Sequence, residues 1–150
     1  MIEVSCATPD DTRALAMRLA SLVRPGDVVL LKGSLGAGKT VFAGGLAAGL
    51  GVEEQVTSPT FVIARRYEGF MPLLHADVYR IGSSAEIEDL DLLGEADQGL
   101  LVVEWGDVVD QQLGEDHLLV SIVAGDDESR LISLVPSGSW SDRPFEEVTS

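Results

Sequence analysis

Apolar positions along this chain recur with two periods, and the polar stretches between them mark where one kind of element gives way to the other. Residues 2–6 (IEVSC) alternate and predict a first strand. Behind them, Leu15, Leu19 and Leu22 share one face at helical spacing. Thr8 is placed to cap that helix, with Pro9 in its first turn and Asp11 three residues after the cap. Residues 28–31 (VVLL) form an unbroken apolar run, the pattern of a strand covered on both faces. A glycine-rich stretch follows, then a small-residue helix from Lys39 that ends near Gly49 or Gly51. Gly44 and Gly45 weaken this helix and predict close packing against the sheet.

The second half reads differently. Pro59 forces Ser58 out of a helical conformation and opens a loop. Residues 61–67 and 72–79 read as strands joined by a turn at 68–70. Residues 83–94 read as a short acidic helix with Ser83 and Glu86 as a capping box. Residues 99–104 make a second fully apolar strand that ends in Glu104, and 107–113 suggest a helical turn. Residues 117–123 and 130–135 are two strands joined by the polar turn AGDDES. Strands and helices alternate early and strands pair late. The expected fold class is α/β, a P-loop NTPase-like three-layer sandwich with a mainly parallel sheet and antiparallel C-terminal strands. One domain is expected over residues 1–135, with 136–150 as a loose tail.

Composition narrows this picture in three ways. The single cysteine, Cys6, excludes an internal disulfide framework and a cysteine-rich zinc site. No apolar run approaches a membrane span and the N-terminus lacks a signal-peptide layout, so the expectation is a soluble, cytoplasmic protein. The formal net charge of −15 makes unaided binding to a phosphate backbone unfavourable and leaves a basic protein partner open.

The chemistry starts at residues 33–40, GSLGAGKT, which match G-x-x-x-x-G-K-[ST] in full. Gly33, Ser34, Leu35, Gly36, Ala37 and Gly38 supply backbone N–H groups for an anion-binding nest. The following helix aims its positive end at the same point. Lys39 reaches the β- and γ-phosphates and the Thr40 hydroxyl ligates Mg²⁺. The metal needs a second carboxylate at the tip of a neighbouring strand. Glu104, behind four apolar residues, is favoured for the metal, directly or through water; Asp77, behind a run broken by His75, then supports the metal's surroundings without ligating it or orients the attacking water. The chain contains no asparagine, so the Asn-Lys-x-Asp guanine reader is absent and ATP is the expected nucleotide.

Several motifs together resemble the bacterial TsaE family of tRNA threonylcarbamoyladenosine biosynthesis ATPases. These are the loop itself, SPTF at 58–61 with Tyr67 beyond it, HADVYR at 75–80 and VEW at 103–105, in matching order and spacing across 33–105. The resemblance implies an ATP- and Mg²⁺-dependent ATPase, slow alone. It would work with a transferase subunit and its paired scaffold subunit, and meet tRNA only through them. It also implies that Thr60 senses the γ-phosphate, and that Thr8, Thr12 and Arg130 lie at the adenine end. Ser34 replaces the family's usual Asp, at a position that mainly supplies backbone. Val41 replaces a hydroxyl residue, putting one α-phosphate contact in question. Two other readings of the phosphate loop stand beside this one: a small-molecule kinase, and a non-enzymatic module that recruits partners when nucleotide is bound.

Overall fold

The structure is a computed structural model that describes residues 2–33, 38–56, 64–77, 98–105 and 116–149, with backbone only for Ala64, Asp77 and Trp105. Seven strands form one mixed sheet: β1 (Ile2–Cys6), β2 (Asp27–Gly33), β3 (Ala64–Tyr67), β4 (Leu73–Asp77), β5 (Leu100–Trp105), β6 (Leu118–Ala124) and β7 (Arg130–Pro136). Their spatial order is β1-β7-β6-β2-β5-β4-β3. The central strands β6, β2, β5 and β4 run parallel. Antiparallel pairing closes both sides, with β7 and β1 beyond β6 and with β3 beyond β4. The C-terminal strands were expected to be antiparallel; β3 extends that character to the opposite edge.

The apolar runs explain which strands are central. In β2 and β5, residues 28–31 and 100–103 are buried on both faces. Those on one face, Val29, Leu31, Leu100 and Val102, join the core cluster that contains α1 (Pro9–Leu19) and α2 (Lys39–Gly49). The alternating strands β6 and β7 bury Leu118, Val120, Ile122, Ile132 and Leu134 toward that same cluster. Their other faces carry partly or largely exposed residues, including the paired Val123 and Leu131.

The start of α1 is as its sequence predicts. Thr8 is extended and its hydroxyl accepts from the Asp11 N–H at 3.2 Å, with Pro9 in the first turn. Gly45 corrects one expectation, because its close packing is against α1 rather than the sheet. A Cβ built there would lie 2.5 Å from the Arg13 carbonyl oxygen and 2.6 Å from the Ala16 Cβ, whereas one at Gly44 would meet nothing within 4 Å. Gly49 likewise abuts Ala20 and Met17, so α2 approaches α1 along a flat glycine edge.

The segment after Pro136 is a second correction. Instead of a loose tail it forms a 3-10 turn (Gly138–Trp140) and a helical turn (Glu146–Thr149). Trp140, Phe145 and Val148 are buried in the core cluster. Arg143 forms a bidentate ion pair with Asp27 at the start of β2, its Nη2 donating to Oδ1 at 2.9 Å. The Asp27 Oδ2 also accepts from the Arg24 N–H at 2.6 Å, and the guanidinium stacks 4.0 Å from the Trp140 ring centroid. The Arg143 Nε finds no hydrogen-bond partner among the described residues. A few large apolar side chains and one charge pair therefore hold a segment whose sequence is mostly polar. The expected helices at 83–94 and 107–113 lie outside the described residues, and none of the described helices is long and apolar enough to cross a membrane.

Candidate functional site

Strands β1, β2, β4, β5 and β6 run in one direction, so their carboxyl ends share one edge of the sheet. In open α/β sheets that edge is where ligands bind. Most of the described residues singled out from the sequence arrive there. Gly33 ends β2, and Gly38, at φ 110°, caps α2 in the left-handed region that glycine adopts at least cost. Lys39 is buried, and its Nζ donates to the Gly33 carbonyl at 2.9 Å, folding the lysine back over the mouth of the loop. Ser34, Leu35, Gly36 and Ala37 lie outside the described residues.

Thr40 and Val41 are partly buried at the start of α2. They line a cleft of about 490 Å³ that runs past Gly44 and Ala48, between Arg13 on α1 and the stretch from Val52 to Val56. Nothing in the sequence marks Arg13, because it is exposed on a helix surface and meets the cleft only through the packing of α2 beside α1.

The two carboxylates separate by strand. Glu104 sits on β5, immediately beside β2, in register with Leu31 two residues before Gly33. Asp77 ends β4, one strand further out and in register with Glu104; its side chain lies outside the described residues. Glu104 is only 5% exposed. Its Oε2 lies 2.6 Å from the Nε2 of His75, which is fully buried on β4. That contact is close but not aligned as a hydrogen bond. His75 Nδ1 and Nε2 and Glu104 Oε2 have no aligned partner among the described residues. In the sequence His75 only interrupts an apolar run, and the β4–β5 register is what brings it to the carboxylate.

The adenine-end candidates divide. Arg130, at the start of β7, is brought to the loop: a Cβ on Gly38 would lie 3.9 Å from its Nε. Its Nη1 donates to the carbonyls of Asp127 at 3.2 Å and Ser129 at 2.7 Å. Thr8 is occupied as the α1 cap, and the buried Thr12 hydroxyl reaches the Thr8 carbonyl at 3.5 Å. Burial pushes the Cys6 thiol above its ordinary pKa, and the Thr12 side chain works against that rise. Thr60, the SPTF segment, Arg80 and the Trp105 side chain lie outside the described residues. Arg65 and Arg66 are exposed; Arg65 lies over the Tyr67 ring and Arg66 pairs with Glu68 at 2.7 Å.

Comparison with known proteins agrees with this geometry. The family described as "Threonylcarbamoyl adenosine biosynthesis protein TsaE" matches residues 6–132. The chain is 39% identical to the tRNA threonylcarbamoyladenosine biosynthesis protein TsaE of Bacillus subtilis over 142 residues, covering 94% of this chain and 89% of that one. It is 47% identical to the protein of that name from Streptomyces coelicolor over 134 residues, covering 84% of this chain and 90% of the other. Among solved structures, Bacillus subtilis YdiB matches with a TM-score of 0.74 at 33% identity, over 98% of this chain and 90% of that one. With the phosphate-loop ends, the parallel sheet and the acid on β5 all in place, the chain belongs to the TsaE family.

Proposed function

We propose that this protein is the ATP-binding and ATP-hydrolysing component of the machinery that forms N6-threonylcarbamoyladenosine at position 37 of ANN-reading tRNAs. On this reading it acts in the cytoplasm and resets or activates a partner complex made of a transferase subunit and its paired scaffold subunit. Family membership supports the pathway. The observation that carries the nucleotide chemistry is the convergence of Gly33, Gly38, Lys39 and Glu104 at the carboxyl ends of β2 and β5.

Each residue then has a physical task. Backbone N–H groups of residues 33–41 and the N-terminus of α2 hold the phosphate oxygens. Lys39 exchanges the Gly33 carbonyl for the β- and γ-phosphates. Thr40 and Glu104 are the residues that would hold Mg²⁺. A buried carboxylate on the strand beside β2, two residues short of the level of Gly33, fits a hard cation, and magnesium bound with nucleotide takes only one or two carboxylates. The ion would supply positive charge against the β- and γ-phosphate oxygens as the bond breaks. Asp77 orients the attacking water, Thr60 senses the γ-phosphate, and Thr8, Thr12 and Arg130 bound the adenine end. Arg130 is the best placed of these three, by its approach to Gly38. Val41 offers a backbone N–H but no hydroxyl to the α-phosphate.

Binding of a fluorescent ATP analogue tests the core of this reading. Lys39→Ala should weaken it more than about tenfold, the worth of a charge-assisted contact; unchanged affinity would remove the phosphate-loop assignment. Single-turnover hydrolysis with and without the partner pair should show slow turnover alone and a faster rate with them. Transfer of phosphate to a small acceptor instead would make the protein a kinase.

A further inference from the structure

We propose that His75 is a positioning residue for Glu104: it holds the carboxylate by Oε2 so that the other oxygen, Oε1, is presented toward the phosphate loop. The inference rests on the proposed role of Glu104 in binding the metal. Nε2 and Oε2 are 2.6 Å apart. Two bare lone pairs would repel at that distance, so the contact needs a proton between the two atoms, although the ring is not aligned for a full hydrogen bond.

The fold does not require a histidine there. Position 75 follows Leu73 on the same strand face, pairs in register with Val102, and points into a layer that is otherwise apolar. A leucine or valine would extend that layer, and a buried histidine kept only for packing would be expected to satisfy both ring nitrogens. Here Nδ1 has no partner among the described residues, and the ion-pair contact of the ring among them is with the Glu104 carboxylate. A local rule broken at such a place points to function.

The geometry also explains the direction of the effect. Glu104 is anchored on β5, with β4 on one side and β2, which leads into the loop, on the other. His75 reaches diagonally across the parallel pair, two positions along from its register partner Val102, and ties one oxygen. The carboxylate loses rotational freedom before nucleotide arrives. Partners of this kind, one bond removed from a metal, commonly change metal affinity by about 10–100-fold.

The test uses the full chain with a non-hydrolysable ATP analogue, and reads Mn²⁺ affinity by electron paramagnetic resonance beside metal-free nucleotide binding and thermal stability. His75→Leu should fold and bind the metal-free nucleotide as wild type does. Its Mn²⁺ affinity should fall about tenfold. His75→Gln places an amide N–H near the position of Nε2 and should restore most of that affinity, while the shorter His75→Asn should not. Unchanged Mn²⁺ affinity in His75→Leu, or equal loss in the Gln and Asn variants, would overturn the proposal. Should His75→Leu fail to fold, the Gln–Asn contrast decides alone. Glu104→Gln separates the two levels. If it lowers Mn²⁺ affinity while His75→Leu does not, only the positioning role falls. If Glu104→Gln leaves Mn²⁺ affinity unchanged, the metal assignment falls and the positioning role with it.

Discussion

Two buried acids lie at opposite ends of the parallel strands, and they are treated in opposite ways. Asp27 opens β2 at the amino end. Both of its oxygens accept hydrogen bonds from Arg143, and Oδ2 accepts from the Arg24 N–H as well. Glu104 lies near the carboxyl end of β5, where its Oε2 sits 2.6 Å from a misaligned imidazole and has no aligned hydrogen-bond partner among the described residues. The first arrangement is what burial of a charge requires: paired charge and satisfied lone pairs. The second leaves coordination capacity unused in a place that water hardly reaches. Burial is common to both acids; under the proposed function, the completeness of bonding is what separates the structural acid from the functional one.

Substitution at the two acids should split activity from stability. Glu104→Gln removes a charge without changing shape. We expect its turnover to fall by at least about a hundredfold, comparable to losing one main electrostatic contact in a transition state, with thermal stability equal to or above wild type. Arg143→Met should do the reverse. Stranding the Asp27 charge should cost about 3–5 kcal/mol in urea unfolding, while the folded fraction keeps wild-type nucleotide affinity. Stability loss in Glu104→Gln, or weakened nucleotide binding in folded Arg143→Met, would break the comparison.

A smaller contrast lies within α2, which links the two ends. Gly45→Ala drives a methyl group into the Arg13 backbone and should destabilise by about 1–3 kcal/mol. Gly44→Ala, one residue away, meets nothing and should stabilise by about 0.4–1 kcal/mol. Chemical unfolding of both variants reads the difference, and similar values would mean that α1 and α2 are not in the contact described.

The smallest effect concerns a buried titratable group at the carboxyl end that is not one of the two acids. Burial raises the Cys6 pKa, with the Thr12 side chain opposing the rise. The folded state therefore favours the protonated thiol. Its contribution is fully present below the unfolded value of about 8.5 and is lost as pH climbs toward the folded one. Urea midpoints measured from pH 7 to 9.5 should decline, and Cys6→Ala should flatten the decline with nucleotide binding unchanged. Lost binding in that variant would mean that Cys6 also shapes the site, and that bonding does not separate structural from functional groups at this end.

The sequence was a good guide wherever physics is local. Residues 28–31 and 100–103 cannot be anything but buried strands once covered on two faces, and Thr8, Pro9 and Asp11 specify a helix start through the chain's own backbone. The phosphate loop is also local, since its glycines, lysine and threonine must act within eight residues. Its flanking strand and helix follow from the same stretch. The tail was misread because Trp140, Phe145 and Val148 are spread through polar sequence, and nothing near them shows what they will pack against. Arg143 finds Asp27 across 116 residues.

Sequence by itself determined which residues could grip a phosphate and which strands would be central, because both depend on neighbours in the chain. Tertiary structure alone decided that β5 lies between β2 and β4. That order puts Glu104 beside the loop, moves Asp77 one strand out, and sets a buried histidine against the acid. The reason is physical: strand order and register are fixed by contacts between segments far apart in the chain, and no local pattern carries that information.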